Sequence, residues 1–477
     1  MENLEAIVQL IDSWLWGRWL VLFAGLRGLY TVSNGFIQIR HFGFIIRRTL
    51  IDSYKSRHED KGNGSISTFK AMMVTLAGNV GGGNVVGVAT AILSGGMGAV
   101  FWMWVAAFFG MALKYGEIVL SQMYRGKDEN GNLLSGPMYY IRDGLKMPWL
   151  GVVIAVLMCT KMMGANLVQS NTISGILYSN YGVPTYMTGV VLIILLLCIT
   201  LGGLKRLANL AMNLVPAMSI FYIVIGVLVV LLNIQHAAAC ICRNLYPGLS
   251  FDSVAGGTGG YVIAKAMQYG IARGMYSNEA GEGTAPFAHG CSLVPHPVDE
   301  GITGVAEVFL DTIVICSCTA MIMLLAPEST VAGLEGMDLL QAAMDYHLGR
   351  FGVIFIALIL WLFSFSTFIG ILFYARSNVA YLFGDRWGWQ TAYKVLALVM
   401  LMVGGLEAYT VVWDLGDVGI GLMTFFNMIA LYPLSGEAMD ASTTTKTKKA
   451  AIMQIPRRTL PEWKRVRGVF RSVQSSA

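Results

Sequence analysis

The chain of 477 residues is 55% hydrophobic and 13% charged, with a formal net charge of +5 and a mean hydropathy of +0.61. A soluble domain carries about a quarter charged residues, so this composition excludes one and reads as an all-α polytopic membrane protein. The seven scattered cysteines form no Cys-x-x-Cys, the six histidines fall in loops or at helix ends, and neither His-Glu-x-x-His nor Gly-x-Ser-x-Gly occurs; disulfides, a metal centre and hydrolase chemistry are not expected, and the protein does not read as an enzyme.

At ~20 apolar residues per crossing, eleven spans are expected, beginning with Trp16–Ile37, which has no signal-peptide cleavage site and is expected to be retained. Phe69–Leu93 follows, then Ala99–Leu120, Leu150–Leu177, Val183–Leu201 and Ala208–Leu232. Tyr261–Ala285, Gly301–Leu325, Phe351–Leu372, Gln390–Leu406 and Leu415–Leu434 complete the set. The transmembrane domain covers 1–440, and a basic tail covers 441–477.

The second span contains GNVGGGN, Gly78 to Asn84. Glycine costs roughly 1 kcal/mol per helical position relative to alanine, so the helix is expected to break at membrane depth. Unwound backbone is tolerated there only where it faces protein, ligand or a water-filled cavity. The seventh span, GGYVIAKAMQYGIARGMYSNEAGEGTAP, loses its apolar pattern after Gly270, at Gly274, Ser277, Asn278, Gly281 and Gly283. Setting aside the extra helix 16–37, the first helix of each group of five is broken, giving repeats at 69–232 and 253–434 that insert with opposite orientation. Such a 5+5 inverted repeat with two broken helices belongs to secondary transporters, where half-helix N-termini suit a carboxylate and released carbonyls suit sodium. The alternative is that both glycine clusters are only close-packing points.

Lys and Arg fall in alternate connections: Arg40, Arg47, Arg48, Lys55, Arg57 and Lys61; then Arg125, Lys127, Arg142 and Lys146; then Lys205, Arg206 and Arg386. The opposite set holds only Arg243 and Arg350. This asymmetry places the N-terminus outside and the C-terminus in the cytoplasm. The tail reads as an element kept on the cytoplasmic face near anionic lipid rather than as a nucleic-acid binder.

Several segments together carry a family resemblance: GNVGGGNVVGVATAI (Gly78–Ile92), KYGEIVL (Lys114–Leu120), GPMYYI (Gly136–Ile141), GGLKRLANLAMNLVP (Gly202–Pro216), QYGIARGMYSNEAGEGTAP (Gln268–Pro286) and EVFLDTIV (Glu307–Val314). The chain resembles the alanine or glycine:cation symporter family, which shares the leucine-transporter-like fold. The resemblance implies sodium-coupled uptake of a small neutral amino acid across the bacterial inner membrane, with Na+ as coupling ion and no organic cofactor. It places the substrate carboxylate against Gly81, Gly82, Gly83 and Asn84, with Gln169 facing the pocket. The amine would meet the second broken helix, where Gly274 and Asn278 stand. Ser366 and Thr367 would ligate sodium together with carbonyls of Gly78–Val80. A Ser–Thr pair can also simply bond back to its own helix, and Gln169 can serve an interhelical hydrogen bond.

Three departures bear on the substrate. Gly81-Gly82-Gly83-Asn84 replaces the usual glycine-threonine-glycine-asparagine, Ile371 replaces a pocket tryptophan, and Phe373-Tyr374-Ala375-Arg376 replaces tyrosine-tyrosine-glycine-glutamate. An enlarged pocket and a substrate bulkier than alanine or glycine are expected, unless Phe365 and Phe368 refill the space.

Charges within spans are functional candidates. Lys114 and Glu117 are expected to pair on one helix face. Glu307 and Asp311 could carry a proton, or pair with Lys161 or Lys265. Arg273, Glu279 and Glu282 read either as inner-gate residues or as a solvated helix end. The rivals to a sodium symporter are a proton-coupled symporter on the same scaffold, a passive channel and a transport-inactive sensor.

Overall fold

The computed structural model describes residues 10–11, 14–33, 35–58, 65–200, 203–240, 257–334, 336–406 and 409–441. Lys61, Arg243, the first residues of the second repeat and the tail beyond 441 lie outside them.

The fold is almost wholly helical. The segment from Leu15 opens as a π-helical turn and continues as α1 (Leu20–Ser33). The glycine cluster divides the second span into α2 (Thr68–Asn79) and α3 (Val86–Gly95). Then come α4 (Gly98–Met123), the short α5 (Pro137–Asp143), α6 (Pro148–Tyr181), α7 (Thr185–Thr200) and α8 (Gly203–Leu232). The second half begins with α9 (Gly257–Asn278), the one-turn α10 (Ala285–His289) and α11 (Pro297–Leu324), whose middle, Phe309–Cys316, is π-helical. It ends with α12 (Gly336–Leu348), α13 (Arg350–Phe383), α14 (Trp387–Leu406) and α15 (Tyr409–Leu431).

Among the described residues, seven helices are long and apolar enough to cross a membrane, and an eighth span results if α2 and α3, bent by 65° at their break, count as one. Two of the eleven expected spans fall short as helices: α7 has 16 residues and α1 has 14. A third, α9, has the length but is diluted by Lys265, Gln268 and Arg273.

The bundle is arranged around the broken segments. Helix α4 is clasped between α9 and α11, α2 lies between α8 and α13, and α6 packs on α13, α14 and α15. The periphery is apolar: Ile220, Val224, Val227 and Leu231 on α8, and Val190, Val191, Ile194 and Leu197 on α7, are exposed. Such a belt suits lipid, whereas water would penalise it. At one end of the bundle, a two-residue hairpin (β1 Gly126–Lys127, β2 Leu133–Leu134) turns around Asp128, which accepts from the backbone of Asn130 and Asn132 and from Arg376 at 2.7 Å. Arg376, at the end of the family motif this chain lacks, thus ties α13 to that hairpin.

Close backbone approach fixes where α13 meets the first break. A Cβ on Gly370 would stand 2.6 Å from the backbone nitrogen of Gly78, and backbone cannot move aside as a side chain can. Gly370→Ala should therefore destabilise by about 1–3 kcal/mol through overpacking. Gly388, with nothing within 4 Å of its virtual Cβ, should tolerate alanine with a gain of about 0.5–1 kcal/mol from helix propensity. Melting of the two detergent-solubilised variants would check this, and equal behaviour would refute it.

Candidate functional site

The first break is short. Val80 caps α2 in an extended conformation, Gly81 is also extended, and Gly82–Asn84 form one 3₁₀ turn before α3. Glycine is needed here for space: a Cβ on Gly81 would stand 2.5 Å from Thr367 Oγ1, and one on Gly83 would stand 2.6 Å from the Tyr276 ring. Two of the freed N–H groups are occupied by the chain itself. Gly81 donates to Asn84 Oδ1 and Gly82 to Gln169 Oε1, both at 3.0 Å. On the carbonyl side, the Ser366 hydroxyl lies 3.4 Å from the oxygens of Ala77 and Val80, while bonding at 2.8 Å to Phe363 of its own helix. Thr367 bonds back to Phe363 at 3.2 Å.

The second break occupies only the C-terminal part of the stretch where the apolar pattern is lost. Helix α9 runs intact through Gly270 and Gly274 to Asn278, and the chain unwinds at Glu279–Thr284, where Glu279 (φ 52°), Gly281 (φ 90°) and Gly283 (φ 90°) take left-handed conformations. Gly274 serves packing instead: its virtual Cβ would meet Met103 and Ala106 of α4 at 3.0–3.2 Å.

Every carbonyl from 278 to 281 has a donor, as buried backbone requires, that of Glu279 being the N–H of Glu282 at 3.2 Å. Asn278 O accepts from Asn79 Nδ2 (3.2 Å) and Lys114 Nζ (2.8 Å), Ala280 O from Arg27, and Gly281 O from Asn427 Nδ2 (2.9 Å). Asn84 turns toward this second break, donating to Ser277 Oγ (3.0 Å) and Asp311 Oδ1 (2.7 Å). Ser277 also donates to Asp311, and Asn278 donates to Thr312 Oγ1 at 3.1 Å. The π-helical turn of α11 carries Asp311 and Thr312, and such turns recur at functional positions.

Between the breaks a cavity of about 20 Å³ remains, bordered by Gly78, Asn79 and Gly83, by Lys161, Gln169 and Thr367, and by Tyr276 and Glu279. It holds roughly one water molecule, so an amino acid enters only if the surrounding helices move. Of the residues that the resemblance assigns to substrate or ion, Gly78, Gly83, Gln169 and Thr367 border this space, as do the charged Lys161 and Glu279. Gly81 and Gly82 sit against Thr367, Gln169 and Thr172, and Val80 presents its carbonyl to Ser366. Asn84 and Asn278 face the Asp311 network. Ile371 is buried one helical turn beyond Thr367, outside the cavity border.

The charge pairing differs from the expectation. Lys114 does not pair with Glu117 across its own helix turn; it reaches Glu307 Oε2 at 3.7 Å, while Glu117 accepts from Asn427 at 2.6 Å. Lys161 pairs not with Glu307 or Asp311 but with Glu279 (2.5 Å) and Glu282 (2.9 Å). Arg273 forms a two-pronged pair with Asp417, both contacts at 2.7 Å. All of these groups are buried, so a solvated helix end does not describe Arg273, Glu279 and Glu282.

His289 was legible only as a helix-end histidine. It lies fully buried between two carboxylates, with Nδ1 2.8 Å from Glu300 Oε1 and Nε2 2.6 Å from Glu307 Oε1. Thr68 donates to the other oxygen of Glu300 at 2.7 Å. One imidazole thereby joins α10 to α11, and Glu300 joins α11 to α2.

The family model described as the sodium:alanine symporter family matches residues 1–457. The chain is 36% identical to the probable sodium/glutamine symporter GlnT of Bacillus subtilis over 453 residues, 94% of this chain and 92% of that one. It is 34% identical to the sodium/alanine symporter AgcS of Methanococcus maripaludis over 443 residues, 90% and 95% respectively. A crystal structure of a manganese transporter of Eremococcus coleocola superposes with a TM-score of 0.52 at 13% identity, covering 78% of each chain, a likeness of fold alone.

Replacing His289 by leucine leaves Oε1 of both Glu300 and Glu307 in the interior without a donor. Losing one partner of a buried ionic group costs about 3–5 kcal/mol, so His289→Leu should lower the melting temperature of the purified protein sharply. An unchanged melting temperature would show that the histidine does not hold α10 to α11.

Proposed function

We propose, on the premise that the chain belongs to the sodium:alanine symporter family, that it imports a small neutral amino acid coupled to sodium by alternating access around the paired breaks. The arrangement at Ser366 carries this reading. Its hydroxyl and the carbonyls of Ala77 and Val80 converge where α2 unwinds, and carbonyls released by a broken helix are sodium ligands in transporters of this kind. Thr367, on the cavity border, adds a further hydroxyl.

The substrate carboxylate would take the N–H of Gly82 in place of Gln169 Oε1, so the side chain that now closes this donor becomes a neighbour of the bound amino acid. Alanine and glutamine both remain in the substrate class, and Ile371, which stands off the cavity border, does not choose between them. The architecture proposed with this function has eleven spans, obtained by counting the bent pair as one and adding α1, α7 and α9. It comprises the extra helix 16–37, inverted repeats over 69–232 and 253–434, and the basic tail 441–477, with the N-terminus outside and the C-terminus in the cytoplasm of a bacterium. A proton-driven version of the same transport draws on the Glu300–His289–Glu307 chain.

Uptake of radiolabelled alanine, glycine, serine and glutamine into proteoliposomes, with and without an inward sodium gradient, tests the coupling. Accumulation that ignores sodium and follows pH would transfer it to protons. Ser366→Ala removes one oxygen from the proposed sodium shell and should raise the half-saturating sodium concentration roughly tenfold. An unaltered sodium dependence in that variant would remove Ser366 from the ion site.

A further inference from the structure

A cavity of about 480 Å³ lies among the start of α8, the start of α14 and the later turns of α13, and it shares no lining residue with the water-sized space between the breaks. Part of its wall is apolar, from Leu204, Leu207, Leu372 and Phe373. Three cations, Lys205, Arg376 and Lys394, stand on the lining, and no carboxylate does. Arg376 is matched from outside the lining by Asp128 and Asp385, at 2.7 and 2.8 Å. Among the described residues Lys205 and Lys394 have no ionic partner.

Tyr393 adds an independent observation. It is only 9% exposed, and its hydroxyl is buried without a hydrogen-bond partner. A buried donor with nothing to receive its proton is expensive. The residue borders the cationic cavity and also a second one of about 470 Å³ against α6, whose wall includes Val156, Val379, Leu382 and Leu396.

The surroundings are those of a membrane interface. Helix α14 opens with Trp387 and Trp389, 82% and 48% exposed, and exposed indoles mark the headgroup level of a bilayer. From there α7 turns Ile194 and Leu197 outward, and α14 turns Val395 and Val399 outward. Two unpaired lysines, a buried hydroxyl in need of an acceptor and an apolar wall together require an occupant with an anionic head and an apolar body. Basic pockets between membrane helices on the cytoplasmic side suit such headgroups.

We propose that this cavity binds one anionic phospholipid of the cytoplasmic leaflet, its phosphodiester between Lys205 and Lys394 and an oxygen of its phosphate or ester accepting from Tyr393. The assignment uses the cytoplasmic placement of Lys205 and Arg386 given above and is independent of what is transported. The lipid ties α8 to α14. It also lies beside Ile66 and Cys291, whose backbones join at 3.2 Å where the chain enters α2 and leaves α10, so the headgroup sits where the segments leading from both breaks meet.

The test is native mass spectrometry of the full chain, purified in a delipidating detergent and titrated with palmitoyl-oleoyl phosphatidylglycerol or with phosphatidylcholine of the same chains. The first phosphatidylglycerol should bind roughly tenfold or more tightly than phosphatidylcholine. Lys205→Gln and Lys394→Gln should each weaken phosphatidylglycerol roughly fivefold, and the pair about thirtyfold, as expected for basic side chains at an anionic lipid surface. Tyr393→Phe should weaken it several-fold, the loss of one hydrogen bond. Arg206→Gln removes an exposed charge outside the lining and should change nothing.

Equal binding of the two lipids by the wild-type protein overturns the proposal without any variant. An effect of Arg206→Gln as large as that of Lys205→Gln would replace the site by diffuse surface charge. Displacement of phosphatidylglycerol by millimolar glycerol phosphate would assign the lysines to a soluble anion, and displacement by alanine or glutamine would make the cavity part of the substrate's path; either result removes the lipid site. Because the readout is lipid bound to the purified chain, failure of sodium-driven uptake leaves this inference standing, and failure of lipid binding leaves the symporter reading standing.

Discussion

The carbonyl of Asn278 is the point on which the rest of the site depends. It ends an intact helix, has no partner of its own once the chain unwinds, and is met by an amide from the other break, Asn79, and by the ammonium of Lys114. In a membrane interior an unsatisfied backbone group costs several kcal/mol. The break at 279–284 can therefore exist only because donors from α1, α2, α4 and α15 are held against it. Arg27, Asn79, Lys114 and Asn427 occupy four different helices, and the loop couples them.

That coupling explains why so much polarity is tolerated in a bundle of this composition. Two networks extend from the breaks. One runs from Asn84 through Ser277 and Asp311 into the π-helical turn of α11; the other runs from Lys114 through Glu307 and His289 to Glu300 and Thr68 at the start of α2. Each joins an element of the first half of the chain to one of the second. A displacement of α2 or α10 has to break or carry along charged contacts in the interior, which favours a few discrete arrangements over gradual deformation. The water-sized cavity fits one such arrangement in which the breaks have closed on each other.

The cavity shows the same logic at smaller scale. Glycine at 81 and 83 lets Thr367 and Tyr276 approach the backbone, and Gln169 covers the N–H of Gly82. Polar groups of the chain thus stand where polar groups of a solute would stand. A protein that must expose backbone donors to bind and then bury them again benefits from side chains that satisfy them in between, because the alternative is an unmade hydrogen bond at membrane depth.

The sequence by itself determined the membrane class, the existence of two breaks, and the helix positions of Gln169, Ser366 and Thr367. These rest on composition, on local glycine density and on helical spacing, all properties of neighbouring residues. It drew the second break too broadly, since glycine at 274 reads the same whether it unwinds a helix or lets α4 pack closely, and only the neighbouring helix tells them apart. Partner choice was not legible. Lys114 and Glu117 share a helix face, yet Lys114 joins Glu307 and Glu117 joins Asn427, because ion pairing in a bundle follows which helices touch, and those contacts link residues well over a hundred positions apart. His289, one histidine among six, links carboxylates only 11 and 18 residues further on, because the turn between α10 and α11 folds them back against it. Tertiary structure decided which buried charges meet and which side chains border the cavity.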